Sequence, residues 1–131
     1  MPITTPEQLA LARRVSEHVH AHPEQHDQTI FYREDAGSCG TAGCIAGWTA
    51  VFDGAQPIFA ELGSCLANEV STPGGDRLID DYARKALGLT IDEARALFTP
   101  NQPDSSAREY LDELIEDAVR SGIAVGRGGA R

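Results

Sequence analysis

The stretch that decides how this chain folds is AGSCGTAGCIAGW, Ala36 to Trp48. Four glycines, Gly37, Gly40, Gly43 and Gly47, punctuate a loop that runs directly into apolar sequence, with Cys39 and Cys44 inside it. Two readings are open. Either a thiol is presented at the start of a helix, where the helix dipole lowers its pKa, or the absent side chains make a joint in which backbones approach closely. From Gly43 to Phe52, the side chains Cys44, Ile45, Ala46, Trp48, Val51 and Phe52 leave little polar surface. That predicts a short buried helix stopped by Asp53–Gly54. Ala46, Gly47 and Ala50 are small enough to let a neighbouring helix lie close.

Upstream, Thr5, Pro6 and Gln8 spell a capping box with proline at the first helical position. Leu9, Ala12, Val15, Ser16 and Val19 recur at helical spacing as one buried stripe, and Pro23 ends the helix near His22. A second short turn begins at Pro23, and the β-type side chains of Thr29, Ile30, Phe31 and Tyr32 predict a brief strand. Downstream, residues 56–70 read as a β-hairpin turning at Gly63–Ser64 or as a broken helix, with the hairpin favoured. Ser71 to Gly75 reads as a loop. Asp76 is expected to cap a helix carrying Leu78, Ile79, Tyr82, Ala83, Ala86 and Leu87, ended by Gly88. Thr90 and Glu93 form a second capping box ahead of Ala94, Leu97 and Phe98. Ser106 and Glu109 are expected to cap the last helix, with Tyr110, Leu111, Leu114, Ile115, Ala118 and Val119 facing inward until Gly122. The expected fold class is mainly α, with α+β character only minor. It is a compact helical single domain over residues 1–122, built around the short Cys44–Phe52 helix with one small β-hairpin at most, and a flexible tail over 123–131.

A chain of 131 residues is long enough for one core and short for two domains. With 41% hydrophobic and 24% charged residues it is ordinary for a folded soluble protein and too apolar for general disorder. No apolar run approaches the roughly 20 residues that span a bilayer. MPITTPEQ lacks the basic-then-apolar pattern of a secretion signal, so a cytoplasmic location is expected. Three cysteines, an odd number without an export signal, point to reduced thiols. The net charge of −9 repels a phosphate backbone and disfavours nucleic-acid binding. It suits a basic partner, nucleic-acid mimicry or plain solubility.

Three blocks of sequence carry a resemblance. His22, Pro23, Glu24 and Gln28 are followed by Cys39, Gly40, Thr41, Cys44, Ala46, Gly47 and Trp48, and later by Leu87, Gly88, Leu89, Glu93, Ala94, Leu97 and Phe98. Together they resemble a family of small uncharacterised proteins of actinobacteria and their phages. His26 departs from that pattern, at a position where an aromatic such as Trp is common. The resemblance covers most of residues 20–100. It implies a cytoplasmic or phage-encoded accessory role and brings no activity with it.

Few constellations of residues carry chemistry. Cys44 at a helix start resembles the papain-type nucleophile segment, with His26 or His22 as its base. Two residues are inserted between Gly40 and Cys44 relative to that segment. All four histidines, His18, His20, His22 and His26, precede Cys44, whereas papain-like enzymes place the base downstream. The reversed order is physically allowed, because such groups assemble in space. Against it stands Cys44 as a small buried hydrophobe. Cys39, Cys44 and Cys65 with His26 or His22 have the ligand types of a zinc site, but Cys39 and Cys44 are spaced more widely than ligand pairs usually are. The same spacing departs from that of redox pairs. No phosphate-binding glycine pattern with a following Lys appears. Asp80–Asp81, Asp92–Glu93 and Glu116–Asp117 are adjacent on helices, point apart and read as solvated surface. No cofactor is expected. What remains is the acidic outer face of the last helix, Glu109, Asp112, Glu113 and Glu116 with Asp104 and Asp117, which suits a basic partner, and self-association as a homodimer. The expected function is that of an acidic cytoplasmic accessory protein, phage-related, that binds a host or phage protein. The alternative is a cysteine-dependent hydrolase or transferase using Cys44.

Overall fold

The computed structural model describes residues 3–34, 41–59 and 66–122. Helix α1 (Pro6–Ala21) begins as its sequence requires. The Gln8 amide donates to Thr5 Oγ1 at 3.1 Å and the Thr5 amide donates to Gln8 Oε1 at 3.2 Å. Its buried side chains are the predicted stripe of Leu9, Ala12, Val15, Ser16 and Val19. A single 3₁₀ turn (Pro23–Gln25) follows, and the predicted brief strand appears as β1 (Tyr32–Arg33), shorter and later than expected. Then β2 (Ala42–Gly43) leads into α2 (Ile45–Phe52).

Beyond α2 the structure corrects the mainly helical expectation. β3 (Gln56–Phe59), β4 (Leu66–Thr72) and β5 (Gly75–Leu78) join β1 and β2 in a five-stranded sheet whose strands all pair antiparallel, so the fold is α+β. The hairpin over residues 56–70 is present, with its expected turn at Gly63–Ser64 lying outside the described residues. Its strands were hard to read because the register shifts. Ile58 faces Glu69 while Phe59 faces Ala67, which leaves Asn68 as an extra residue. That bulge brings Ala67 and Val70, three positions apart, into the core together, an interval that plain two-residue alternation does not produce. Ser71 to Gly75 is a second hairpin rather than a loop, with Thr72 paired to Gly75 around Pro73–Gly74. Asp76 therefore lies in β5 and caps nothing. The next helix, α3 (Ile79–Leu87), starts later, with Leu78 at its cap position and more than half exposed.

The remaining helices follow their signals with one shift. α3 ends at Gly88, whose φ of 74° is the left-handed conformation glycine adopts without strain. α4 (Ile91–Phe98) carries the Thr90–Glu93 capping box. α5 (Asp104–Arg120) starts directly after Pro103, so Ser106 lies inside it and does not cap it. Ala107, Leu111, Leu114, Ile115 and Ala118 are its buried face, whereas Val119 is exposed. The expected tail over 123–131 lies outside the described residues.

At the centre sits α2, which touches α1, α3, α4, β2 and β3 and is buried from Ile45 to Ala50. The glycines explain how so short a helix can be so enclosed. A β-carbon at Gly47 would overlap the Phe31 carbonyl oxygen, and one at Gly43 would lie 2.6 Å from the same atom. At these two glycines the close neighbour is thus the backbone leading into β1, while α1 and α3 pack against α2 elsewhere. The Cys44 amide fastens the approach by donating to the Ile30 carbonyl at 2.9 Å.

Candidate functional site

Cys44 occupies the place a nucleophile would take, at the cap of α2, where the first amides of the helix favour the thiolate although the side chain makes no cap hydrogen bond. Burial outweighs them. At 1% exposure, desolvation pushes the thiol up to about 11. Its Sγ donates to the Phe31 carbonyl at 3.9 Å, so the sulfur is packed against the same backbone that Gly43 and Gly47 admit.

His26, also buried, has no ring nitrogen left for that thiol. Arg108 Nη1 lies 3.0 Å from its Nδ1, and Gln28 Oε1 lies 2.9 Å from its Nε2. A guanidinium only donates, so Nδ1 accepts and Nε2 carries the proton, which it donates to Gln28. The Gln28 side-chain amide continues the chain to the Leu97 carbonyl at 2.7 Å, and its backbone amide donates to Asp104 Oδ1 at 2.8 Å. This network ties the segment after α1 to the end of α4 and the start of α5, and it requires a neutral imidazole. Burial lowers the His26 pKa, and Arg108 adds to that, against Gln28, Asp104 and Asp27, which raise it. His22 is exposed beside Glu24 at 3.5 Å. Trp48 Nε1 donates to the Gln25 carbonyl at 2.8 Å, and its ring packs against His18 at 4.3 Å between centroids. Among the described residues no group of three or more His, Cys, Asp or Glu side chains could hold a metal ion. Cys39 and Cys65, which the zinc and redox readings need, lie outside them.

Of the acidic candidates on α5, Glu109, Glu113 and Glu116 are exposed. Asp112 has another task. Ser16 Oγ donates to it at 2.6 Å and His20 Nε2 lies 2.8 Å from it, so it fastens α5 to α1.

The concavity that sequence reasoning missed is a cleft of about 890 Å³ between β5, the start of α3 and α4. Asp76, Arg77 and Leu78 line it in succession. Because neighbouring strand residues point to opposite faces, three in a row place the cleft along the edge of β5. That edge is open: β5 pairs with β4 and, among the described residues, with no other strand. The apolar lining is Phe31, Leu78, Ile91, Ala94 and Phe98, and Leu78 and Ile91 are 54% and 58% exposed. Asp81 is shared by three cations, Arg77 at 3.4 Å, Arg84 at 3.6 Å and Lys85 at 3.7 Å. Asp80 Oδ1 accepts the Asp81 amide at 2.9 Å. Arg95, also in the lining, has no ion pair among the described residues. The trace of this cleft in the sequence is Pro73–Gly74 followed by Asp-Arg-Leu, a turn and an edge strand, which a reading of Asp76 as a helix cap conceals. No helix among the described residues is long and apolar enough to cross a membrane. Compared with models of protein families, with curated proteins and with solved structures, the chain matches none.

Proposed function

We propose that this is an acidic cytoplasmic accessory protein, phage-related, that acts by binding another protein, and that it binds through the cleft beside β5. The observation that carries the reading is the pair Leu78 and Ile91, both more than half exposed on the rim of one apolar-floored cleft. Covering what remains exposed of each contributes about 1 kcal/mol, roughly half the value for a fully exposed side chain. A small ligand is enclosed by the apolar walls of its pocket, whereas side chains standing at a rim are reached by a larger surface.

Leu78 adds a second argument. It holds the cap position of α3 and makes no side-chain cap bond. Ser, Thr, Asp or Asn there would stabilise the helix by about 1 kcal/mol relative to an apolar residue. A leucine that breaks the local rule and stays exposed is explained by something it touches in a complex. The sealed Cys44 lends no comparable support to a thiol enzyme. A net charge of −9 favours a protein over a nucleic acid as partner. The phage-related role and the cytoplasmic location rest on the resemblance of the three sequence blocks.

Panning a random displayed-peptide library on the immobilised protein tests the reading. Selected peptides are expected to share an apolar anchor and to lose about tenfold or more in affinity against Leu78→Asp/Ile91→Asp. A selection in which no peptide is sensitive to that pair of substitutions overturns the cleft as the binding site.

A further inference from the structure

We infer that the cleft takes an extended, acidic segment of its partner, added as a strand along the free edge of β5 with an apolar side chain seated between Leu78 and Ile91. The inference rests on the cleft reading above and names the chemistry of what fills it.

The form of the segment comes from the edge. Asp76, Arg77 and Leu78 present one side of their backbone to β4 and none, among the described residues, to a further strand. An extended chain satisfies such an edge with its own main-chain groups, whereas a helix has none to offer. Extended chain also sends alternate side chains to the same face. One set then meets the apolar lining from Phe31, Ala94 and Phe98, and the other reaches the charged rim.

The charge of the segment comes from an imbalance. The protein has 20 acidic and 11 basic residues, yet the cleft lining holds as many cations, Arg77, Arg84 and Arg95, as carboxylates, Asp76, Asp80 and Asp81, and Lys85 reaches Asp81 from beside it. Two of the carboxylates there are already engaged, Asp81 with three cations and Asp80 with a backbone amide of α3. None of the contacts to Asp81 is shorter than 3.4 Å, as expected when one carboxylate serves three cations. Incoming carboxylates give these cations closer partners, and charge-assisted bonds of that kind are the strong ones. Asp76, whose carboxylate has no partner among the described residues, lies beside the Pro73–Gly74 turn. The acidic residues of the segment therefore belong at the α3–α4 end, against Arg84 and Arg95. The acidic surface elsewhere repels the same segment and directs it here.

Three end-capped eight-residue peptides that alternate Val or Leu with Glu, Gln or Lys test this by calorimetric titration against the full chain, with amide exchange at β5 as a second readout. The Glu peptide is expected to bind about tenfold tighter than the Gln peptide, with the Lys peptide weakest and the differences shrinking as salt rises. Arg95→Glu, at an exposed position with no ion pair among the described residues, is expected to cancel or reverse the preference, and the Glu peptide is expected to protect β5 amides. N-methylation of alternate amides in the Glu peptide is expected to weaken it by about tenfold or more, because strand addition depends on those donors. Equal affinity for all three peptides, still lost with Leu78→Asp/Ile91→Asp, overturns the acidic segment and leaves the cleft reading standing. Undiminished binding of the N-methylated peptide overturns strand addition in the same way. Absence of binding by all three overturns the inference, and the library selection then decides the cleft reading by itself.

Discussion

Around Gly47 the chain packs the backbone leading into β1 against a helix so tightly that no β-carbon fits, while around Leu78, where strand passes into helix, it leaves two large apolar side chains exposed. Polar groups separate the two regions more than apolar attraction does. In α2 every buried polar group has a local answer: Thr49 Oγ1 donates to the Ile45 carbonyl at 2.7 Å, and Trp48 Nε1 to the Gln25 carbonyl at 2.8 Å. Closing the cleft would bury the free edge of β5 together with guanidinium groups that share one carboxylate, and an unpaired buried group of that kind costs several kcal/mol. The first region can be sealed by the chain alone. The second can be sealed only by something that brings its own hydrogen bonds and charges.

The largest effect is expected at Gly47. Alanine is the better helix former by about 1 kcal/mol, so in an exposed helix the substitution would stabilise. Here the added carbon meets the Phe31 carbonyl, and forcing backbones apart in a filled core costs about 3 kcal/mol or more. Gly47→Ala should therefore lower the urea midpoint sharply or prevent folding. An unchanged midpoint would remove the joint on which the fold depends.

Next comes His26→Ala, which leaves the Arg108 donor and the Gln28 carbonyl without a partner at a cost of about 2–3 kcal/mol. It also carries a pH signature. The folded pKa of His26 is lowered, chiefly by burial, from an ordinary value of 6.5. Above 6.5 both folded and unfolded chains hold the imidazole neutral and the network contributes fully. As pH falls from there toward the lowered folded value, the unfolded chain takes up a proton that the folded one refuses. Stability should then decline by at most about 1.4 kcal/mol per pH unit from this group. The difference between wild type and His26→Ala in urea midpoints, followed from pH 8 to pH 5, isolates the contribution; a difference independent of pH would contradict the neutral, Nε2-protonated ring.

Smaller again is Cys44→Ala, which removes one buried atom and should cost about 1 kcal/mol. The same burial protects the thiol. With a pKa of about 11 it holds roughly one thiolate in a thousand at pH 8, apart from any steric block. Site-resolved mass spectrometry after iodoacetamide treatment should find Cys44 unlabelled in the native chain and labelled in urea. Rapid native labelling would return the thiol to consideration as a nucleophile.

Several helix ends and the buried stripe of α1 are legible in the sequence because each is a local signal, whereas the caps expected at Asp76 and Ser106 are not where the helices start. The Thr5–Gln8 and Thr90–Glu93 boxes, the Gly88 stop and the α1 stripe all appear where their residues place them. The glycine-rich segment was legible as a joint, though not which backbone enters it, because Phe31 and Gly47 meet only in the folded chain. The sheet is obscured by its bulge at Asn68, which breaks the two-residue period, and by Pro73–Gly74, whose turn residues make the end of β4 and the start of the four-residue β5 read as loop. The cleft inherited that error, since taking Asp76 as a cap turns Leu78 inward. Likewise, nothing local in the acidic stripe of α5 sets Asp112 apart from its neighbours, because its bonds to Ser16 and His20 on α1 exist only in the folded chain.

The smallest expected effect distinguishes the two regions most sharply, because it falls on neighbouring residues. Leu78 and Ile79 adjoin at the start of α3, one more than half exposed on the cleft rim and the other buried in the core. Ile79→Asp places an unpaired carboxylate among apolar side chains and should cost several kcal/mol or unfold the chain. Leu78→Asp should do the reverse. It removes exposed apolar surface and supplies a carboxylate at the cap position, where Asp contributes about 1 kcal/mol. Repulsion from Asp81, one turn away, offsets part of that gain, so the expected change is between zero and about 1 kcal/mol of added stability. A urea midpoint for Leu78→Asp equal to or above wild type, combined with loss of cleft binding, would show that leucine is retained there at the expense of helix stability. A fall of about 2 kcal/mol or more would instead mean that Leu78 is packed in solution and that the cleft closes on itself.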